Sequence, residues 1–377
     1  MVVYEHAGVK EAREEFSRWL ADFLPSDYDE RFHQYRWDAK LRREYQLAAF
    51  DSGWLMPEWP PELGGRGLTP FEAMAVRIEA ASRPAPKLLN IQGLNMVARA
   101  LRAHGTAEQV SKYLIGTIRG DQLWAIGMSE PGSGSDLASL TTTAELDGSS
   151  FIVTGQKIWT SDAHRADYCT LYCRTDRERP KHAGISAIIV ELSTPGIDIR
   201  PIKMASQGDE VFCEVFFDQA IVPLENLLGS LNGGWEVALR SLRDERHMIW
   251  TMNLSEIERG LTRLRELLAG EDPSSHFALE LARCVAKRDA LCLTGYRALE
   301  RELSGTADPP EGLMLKLISS ELVQQTWGLL RDAAGPLAPV DAEIVQESIE
   351  ALGATIYGGT SEIQRNIIAE RVLGLPR

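Results

Sequence analysis

The chain has 377 residues, too many for one small core and about right for two or three packed subdomains. Its net charge of −14, from 54 acidic and 40 basic residues, argues against a nucleic-acid partner, because binding to phosphate backbones needs clustered Lys and Arg. The hydrophobic content of 44% is ordinary, and the absence of an apolar run long enough to cross a bilayer argues against a membrane protein.

The start of the chain and its cysteines both favour a reducing compartment. The opening residues, MVVYEHAGVKEAREEF, lack the basic-then-apolar order of a signal peptide, so we expect a cytoplasmic enzyme. The cysteines stand in apolar surroundings without CxxC spacing, which predicts reduced core residues rather than metal ligands or disulfides. They are Cys169, Cys173, Cys213, Cys284 and Cys292.

Helical patterns dominate residues 1–120. From Val9 to Phe23 apolar residues recur every three or four positions, which predicts an amphipathic helix. The loop Pro57–Gly67 interrupts the helical pattern, because its proline and glycine residues forbid a continuous helix. These residues therefore predict an N-terminal helical domain.

Residues 121–230 contain short runs rich in β-branched and aromatic residues, bounded by Gly, Pro or Asp turns, which is typical of strands. The predicted strands are Phe151–Thr154, Tyr168–Thr175, Ile185–Leu192, Ile197–Lys203 and Val211–Phe217. Helical periodicity returns in residues 231–377, with breaks at Leu268–Ser275 and Gly305–Gly312. This order predicts an α+β protein without a Rossmann sheet, since βαβ alternation is missing.

Two segments carry most of the functional information: residues 128–136, MSEPGSGSD, and residues 155–161, GQKIWTS. The first combines glycines with hydroxyls, which lets backbone come close to a polar, anionic ligand. The second sets a flat indole beside two hydroxyls, and a flavin needs both an aromatic surface and hydrogen-bond donors. Taken alone, Ser129 and Ser161 also fit turn hydroxyls, and Trp159 also fits a core residue.

Together with four further motifs in the same order, these segments resemble the acyl-CoA dehydrogenase family over essentially the whole chain. The four are Pro57–Gly67, Gly105–Gln109, the Asp218–Pro223 segment before Glu225-Asn226, and the terminal Tyr357–Arg365. The resemblance implies an N-terminal helical domain, a central antiparallel β-domain and a C-terminal four-helix bundle. It also implies FAD as cofactor, α,β-desaturation of an acyl-CoA thioester, and an electron-transfer flavoprotein as electron acceptor.

The resemblance also implies roles for individual residues. Met128 and Ser129 would meet the edge of the flavin ring, and Trp159, Thr160 and Ser161 would cover its other side, with Ser161 approaching N5. Further cofactor contacts fall on Thr360 and Glu362. Ser135 would lie near the CoA side of the substrate, although a helix cap or turn serine is the alternative.

Removal of the α-proton requires a carboxylate in an apolar pocket, where desolvation raises its pKa toward neutrality. Many family members place it just before the terminal Gly-Thr, but here that position is Gly358. An isovaleryl-type subgroup carries it in an earlier Glu-Arg pair, which implies Glu245 as the base and Arg246 as a substrate anchor. On local sequence alone this pair also fits a solvated ion pair.

The missing side chain at Gly358 need not prevent activation of the thioester. In the family its carbonyl oxygen is held by a backbone N–H near the terminal motif and by a ribityl hydroxyl, and a backbone donor needs no side chain. Because Gly359 follows directly, we expect a pocket that accepts a wide or branched acyl group.

Two family motifs that contact FAD are missing. The stretch Arg263–Ala278 lacks the Arg-x-x-Phe-Gly motif whose arginine pairs with a partner's FAD pyrophosphate, and Leu329–Pro336 replaces a Gln-x-Phe-Gly-Gly segment. Since a pyrophosphate needs compensating charge, a second homologous chain is expected to supply it. In this respect the chain resembles the α2β2 actinobacterial enzymes of steroid side-chain breakdown. The alternatives are a non-catalytic structural subunit of such a complex and an acyl-CoA oxidase.

Overall fold

The computed structural model describes residues 8–28, 31–35, 38–83, 85–206, 211–270, 272–306 and 309–376. The side chains of residue 33 and of residues 243–247 lie outside the described part. Within these ranges no helix combines the length and the apolar character needed to span a bilayer.

Along the chain, one group of helices precedes the strands and another group follows them. The α-helices are α1 (Val9–Phe23), α2 (Phe32–Tyr35), α3 (Ala39–Asp51), α4 (Pro70–Ser82), α5 (Ala98–His104), α6 (Ala107–Arg119), α7 (Gly234–Leu267), α8 (His276–Leu303), α9 (Pro310–Ala334), α10 (Ala342–Gly353) and α11 (Ser361–Arg371). The strands are β1 (Trp124–Gly127), β2 (Thr143–Asp147), β3 (Ser150–Ser161), β4 (Tyr168–Arg174), β5 (Ile185–Glu191), β6 (Ile197–Pro201), β7 (Phe212–Pro223) and β8 (Leu227–Leu228).

Packing divides the chain into two compact units. Unit 1 comprises Met1–Lys87 and Arg246–Arg377, and unit 2 comprises Leu88–Glu245. Unit 1 therefore contains α1 to α4 and α8 to α11, unit 2 contains α5, α6 and the strands, and α7 crosses the boundary. The domain boundaries expected at residues 120 and 230 stay a prediction.

Helix α1 occupies the span that its periodicity predicts. Val9, Ala12, Phe16 and Leu20 are buried on one face. The ring of Phe16 meets Trp54 edge to face, with 5.4 Å between the ring centroids. The amphipathic pattern was sufficient to predict this helix, because an apolar stripe along one helix face is buried against the core.

The core of unit 1 forms around the C-terminal half of α7. Trp250, Leu254, Ile257, Leu261 and Leu264 are fully buried and recur every three or four residues. Gly295 of α8 makes room for the Trp250 indole, since a Cβ there would lie 2.6 Å from its ring. Helix α7 ends at Leu267 and α8 begins at His276, directly before and after the predicted break, and α9 begins at Pro310 inside the second break.

The strands of unit 2 form one sheet in the order β6-β7-β3-β2-β4-β5-β8, with β1 beside β4. The pairings are antiparallel except that β4 runs parallel to β1 and, at one residue pair, to β2. Alternating residues of these strands enclose a buried core, and it includes three of the cysteines, Cys169, Cys173 and Cys213. Cys284 and Cys292 are buried in unit 1, so the core placement of all five is confirmed.

Strand β3 contains the predicted Phe151–Thr154 and continues through Gly155 into the GQKIWTS segment. The register with β7 shifts between Val153 and Gly155 and again between Lys157 and Thr160. Gly155 has φ +148°, and a Cβ there would lie 2.6 Å from the Thr142 hydroxyl. The glycine therefore marks a bulge inside a continuing strand, which carries GQKIWTS into the sheet.

Candidate functional site

The loop that follows β1 is fixed by a tight turn. The backbone N–H of Glu130 donates to the carbonyl of Ser133 at 2.9 Å, and the N–H of Ser133 donates back to the carbonyl of Glu130 at 3.0 Å. Pro131 and Gly132 lie between them, as expected for residues that favour turns. The MSEPGSGSD sequence thus folds back on itself directly after the strand.

Glu130 anchors this loop in the interior of unit 2. Its carboxylate accepts hydrogen bonds from the backbone N–H of Thr141 at 2.6 Å, from the Thr141 hydroxyl at 2.7 Å and from the N–H of Thr142 at 2.9 Å. A fourth donor is the ammonium of Lys157 at 2.8 Å. Every one of these contacts favours the ionised carboxylate.

The pKa of Glu130 follows from this competition. Burial by itself would raise it, but the charge of Lys157 and the hydrogen bonds outweigh burial and lower the pKa of Glu130 to about 2. Glu130 is therefore a buried carboxylate that stays ionised at neutral pH.

Lys157 connects the loop to β3. Its ammonium also donates to the carbonyl of Met128 at 3.0 Å, and the N–H of Ile158 donates to the carbonyl of Ser129 at 2.9 Å. The backbone of Met128 and Ser129 is thereby set beside the strand that carries Trp159. The two functional motifs found in the sequence come together in this way.

Trp159 lies at the second bulge of β3 with φ +59°, a left-handed conformation that bulky residues rarely adopt. Its side chain is 55% exposed, and its ring meets Phe212 edge to face at 6.0 Å. From the sequence alone, Trp159 also fitted a core residue. Its exposure is inconsistent with that alternative. Strain that presents a flat indole outward is a pattern typical of ligand sites.

Thr160, the next residue, points the opposite way along the pleat and is 1% exposed. Its Oγ1 atom has no hydrogen-bond partner among the described residues. A buried hydroxyl without a partner costs about 1–3 kcal/mol, so a bound group with a polar edge would remove that cost. The exposed indole and this hydroxyl fit a flavin, and Ser161 follows them, half-buried.

The terminal motif belongs to unit 1. Thr360 caps α11, its hydroxyl accepting from the N–H of Ile363 at 3.3 Å. Glu362 lies exposed in the first turn, where its own backbone N–H and the Thr360 hydroxyl lower the pKa of its carboxyl. Gly358 and Gly359 have φ +65° and +97°, so the chain enters α11 through two left-handed residues that suit glycine.

For the remaining predicted site residues the structure gives fewer contacts. Ser135 is exposed in the loop of unit 2, next to the Asp136 carboxylate that pairs with Lys181 at 2.9 Å. Glu245 and Arg246 lie on α7, but their side chains fall outside the described residues. Their roles stay predictions.

Sequence reasoning assigned no role to Glu130 or Lys157. Each is the sole charged residue inside its motif apart from Asp136, since the other residues of MSEPGSGSD and GQKIWTS are neutral. The available signal was an acidic residue in one motif and a lysine in the other, each surrounded by neutral neighbours. Nothing in the sequence indicated that the two motifs lie side by side, so the contact between Glu130 and Lys157 was not predicted.

Comparison with known proteins identifies the domains to which the chain is similar. The N-terminal domain model of acyl-CoA dehydrogenase matches residues 10–121. The middle-domain model matches residues 125–220. The C-terminal domain model matches residues 232–373. The three matches follow one another across nearly the whole chain.

Individual relatives agree with these matches. Acyl-CoA dehydrogenase IpdE1 of Mycobacterium tuberculosis is 35% identical over 98% of both chains. Among solved structures, the Tcur3481-Tcur3483 steroid ACAD superposes with a TM-score of 0.86 at 31% identity, covering 100% of both chains. The ChsE4-ChsE5 complex from Mycobacterium tuberculosis superposes with a TM-score of 0.83, also at 31% identity and 100% coverage of both chains.

Proposed function

This chain belongs to the acyl-CoA dehydrogenase family, and we propose that it acts on a bulky acyl-CoA thioester of the steroid side-chain kind. The reaction is removal of one hydrogen each from the α and β carbons. One similar structure, at 31% identity, is named a steroid ACAD and supports the substrate class. Another, also at 31% identity, is a complex of two differently named chains and supports a two-chain assembly.

The flavin part of the proposal rests on one observation, the pairing of an exposed, strained Trp159 with the buried hydroxyl of Thr160, which has no partner in the part of the chain that the structure describes. In unit 2, Met128 and Ser129 would hold the edge of the ring, and Trp159, Thr160 and Ser161 would cover its face. Thr360 and Glu362 are the further cofactor contacts that the resemblance to the family implies. Bound FAD would supply the hydride acceptor, at N5, and pass the electrons to an electron-transfer flavoprotein.

Glu245 would remove the α-proton. The position before the terminal Gly-Thr is a glycine, so no carboxylate can act from there. A base on α7 acts from a different stretch of backbone, and water exclusion around it would raise the pKa of its carboxyl into a useful range. Arg246 would hold the CoA-bearing substrate through its charge, while Ser135 would lie on the CoA side.

Gly358 bears on the size of the acyl group. Without a side chain at this position, the segment before α11 would leave the space that a glutamate takes in many family members. Space next to the reacting carbons would admit a ring system. The left-handed φ of Gly358 adds a reason for glycine, because a larger residue would be strained there.

A second homologous chain would complete the FAD site. The missing Arg-x-x-Phe-Gly motif leaves no assigned cation for the pyrophosphate, and an α2β2 assembly would provide it. The alternatives remain a structural subunit with an idle Glu245 and an oxidase that passes electrons to oxygen. Peroxide formed under air would favour the oxidase.

The base assignment is tested by Glu245→Gln in the complex coexpressed with its partner chain. We expect acyl-CoA turnover to fall by about 10²- to 10⁴-fold, the range for loss of a general base. Asp244→Asn, which removes a charge one residue earlier on α7, should keep turnover within a few-fold. Equal turnover in wild type and Glu245→Gln would favour the hypothesis that this chain is a non-catalytic structural subunit.

The assembly is tested by flavin content. Expressed alone, this chain should retain little FAD, and coexpression with a homologous partner should restore it. A homotetramer saturated with FAD and free of a second chain would overturn the heteromeric proposal, while leaving the base assignment intact.

A further inference from the structure

Lys316, on α9, is a lysine of unit 1 that the proposed reaction does not use. It is only 1% exposed, among the largest fully buried side chains of the protein. Burying an ammonium is costly unless its donors are satisfied. Where its hydrogen bonds go therefore indicates what the residue does.

The ammonium of Lys316 donates to two carbonyls that lie five residues apart, that of Ala354 at 3.1 Å and that of Gly359 at 2.7 Å. These carbonyls lie at the two ends of the connector, the segment Ala354–Thr360 that joins α10 to α11. The Nζ atom also lies 5.8 Å from the ring centroid of Tyr357, within cation–π range. One buried cation thus contacts the beginning, the middle and the end of the connector.

Two glutamines each hold the chain near one end of the connector. Gln324 of α9 donates to the Leu352 carbonyl at 3.2 Å and to the Thr355 hydroxyl at 2.9 Å. Gln364 of α11 donates to the Gly358 carbonyl at 3.3 Å. Of these three side chains, Lys316 is the one that reaches both ends of the connector.

The hydrogen bond to Gly359 has a directional consequence. A peptide unit is planar and trans, so a carbonyl fixed toward Lys316 directs the N–H of Thr360 the opposite way. In the same manner, the bond from Gln364 to Gly358 directs the N–H of Gly359 away from Gln364. The left-handed φ angles of both glycines leave the connector few other ways to meet these constraints.

We infer that Lys316 is a positioning residue that holds the Ala354–Thr360 connector in the conformation whose backbone N–H groups activate the thioester carbonyl. This rests on the proposed acyl-CoA reaction. Lys316 does not touch the substrate in this role. It presets the donors, and preset donors stabilise a transition state without reorganising as charge develops.

The first test does not depend on activity. Hydrogen exchange of amides 355–361 in the coexpressed complex, without substrate, should be about 10- to 100-fold faster in Lys316→Met, since a charge-assisted hydrogen bond is lost. Gln324→Leu should accelerate amides near Leu352 and Thr355 and spare Thr360. Lys287→Met, which removes an exposed lysine bonded to Gln325 of α9, should change none of them.

The second test is kinetic. Lys316→Met should lower kcat roughly 10- to 100-fold with a smaller change in KM and unchanged FAD content, because the lost alignment acts mainly on the transition state. Lys316→Gln keeps an uncharged N–H donor group on a slightly shorter side chain. If Lys316→Met fails to fold, this variant still tests the inference, and it should give intermediate exchange and kcat.

The outcomes separate the two proposals. Wild-type exchange at 355–361 in both Lys316 variants would overturn the inference even if the enzyme is active on acyl-CoA. Equal losses in kcat for Lys316→Met and Lys287→Met would overturn it as well. Accelerated exchange in a complex whose wild type does not oxidise acyl-CoA would instead overturn the proposed function and retain the control of the connector by Lys316.

Discussion

Lys157 donates one hydrogen bond to the Met128 carbonyl at 3.0 Å and another to the Glu130 carboxylate at 2.8 Å. Lys157 is fully buried and Glu130 is 6% exposed. This contact joins the loop after β1 to strand β3 and so determines where Met128 and Ser129 lie. The position of the proposed flavin edge therefore depends on an ion pair with no role in the chemistry itself.

Lys157→Met should destabilise the protein by about 3–5 kcal/mol, because it leaves the Glu130 carboxylate buried without its cation. Adding Glu130→Gln should recover a large part of this loss, since the uncompensated charge is gone. Urea unfolding measures both. Lys181→Met breaks the exposed pair with Asp136 on the same loop and should cost less than about 1 kcal/mol. Equal losses for Lys157→Met and Lys181→Met would contradict the buried-pair argument.

The stability of unit 2 should depend on acid through Glu130. The folded-state pKa of about 2 lies below the ordinary value of 4.5, so this carboxylate stabilises the fold fully above pH 4.5. The contribution should decline as pH falls from 4.5 toward 2, as the unfolded state takes up the proton first. Unfolding midpoints measured over this window should fall less steeply in Glu130→Gln than in the wild type. Parallel pH profiles would show that the group is unperturbed.

Trp159→Gly should separate binding from stability. Glycine relieves the left-handed backbone, worth about 1 kcal/mol, and an exposed indole contributes little to the core, so the unfolding midpoint should hold or rise. Flavin retained by the coexpressed complex should fall at least about tenfold, because the aromatic face is lost. Gln219→Gly relieves φ +51° elsewhere on the sheet and should leave flavin content unchanged. Full flavin retention in Trp159→Gly would refute the stacking role.

Thr160→Val should have opposite effects on the free chain and on cofactor binding. Valine keeps the shape and removes a buried hydroxyl that finds no partner within the described ranges, so the flavin-free chain should gain about 1 kcal/mol. Flavin affinity should fall by about tenfold if the hydroxyl meets the cofactor. Thr170→Val is the matched control, since its Oγ1 is also buried without a partner among the described residues. It should stabilise the chain and leave flavin affinity unchanged; identical behaviour of the two variants would remove Thr160 from the site.

Local sequence patterns predicted the structure correctly where a residue type permits only one local conformation. The period of apolar residues located α1, and the Pro- and Gly-containing breaks located the ends of α7, α8 and the start of α9. The motifs likewise indicated the family, which the domain matches confirm. The bulge at Gly155 was not predictable from local sequence, because a glycine in a strand marks either an end or a bulge, and only the pairing with β7 decides.

By itself the sequence determined the helical, β, helical order, the residue types of the two motifs and the empty position at Gly358, since these are properties of neighbours along the chain. Tertiary structure alone decided that Lys157 meets Glu130 across 27 residues and that Lys316 meets Gly359 across 43. Both contacts bury a cation against groups that are distant in sequence, and composition carries no information about such pairing. The energy of a buried charge depends entirely on which partners folding brings to it.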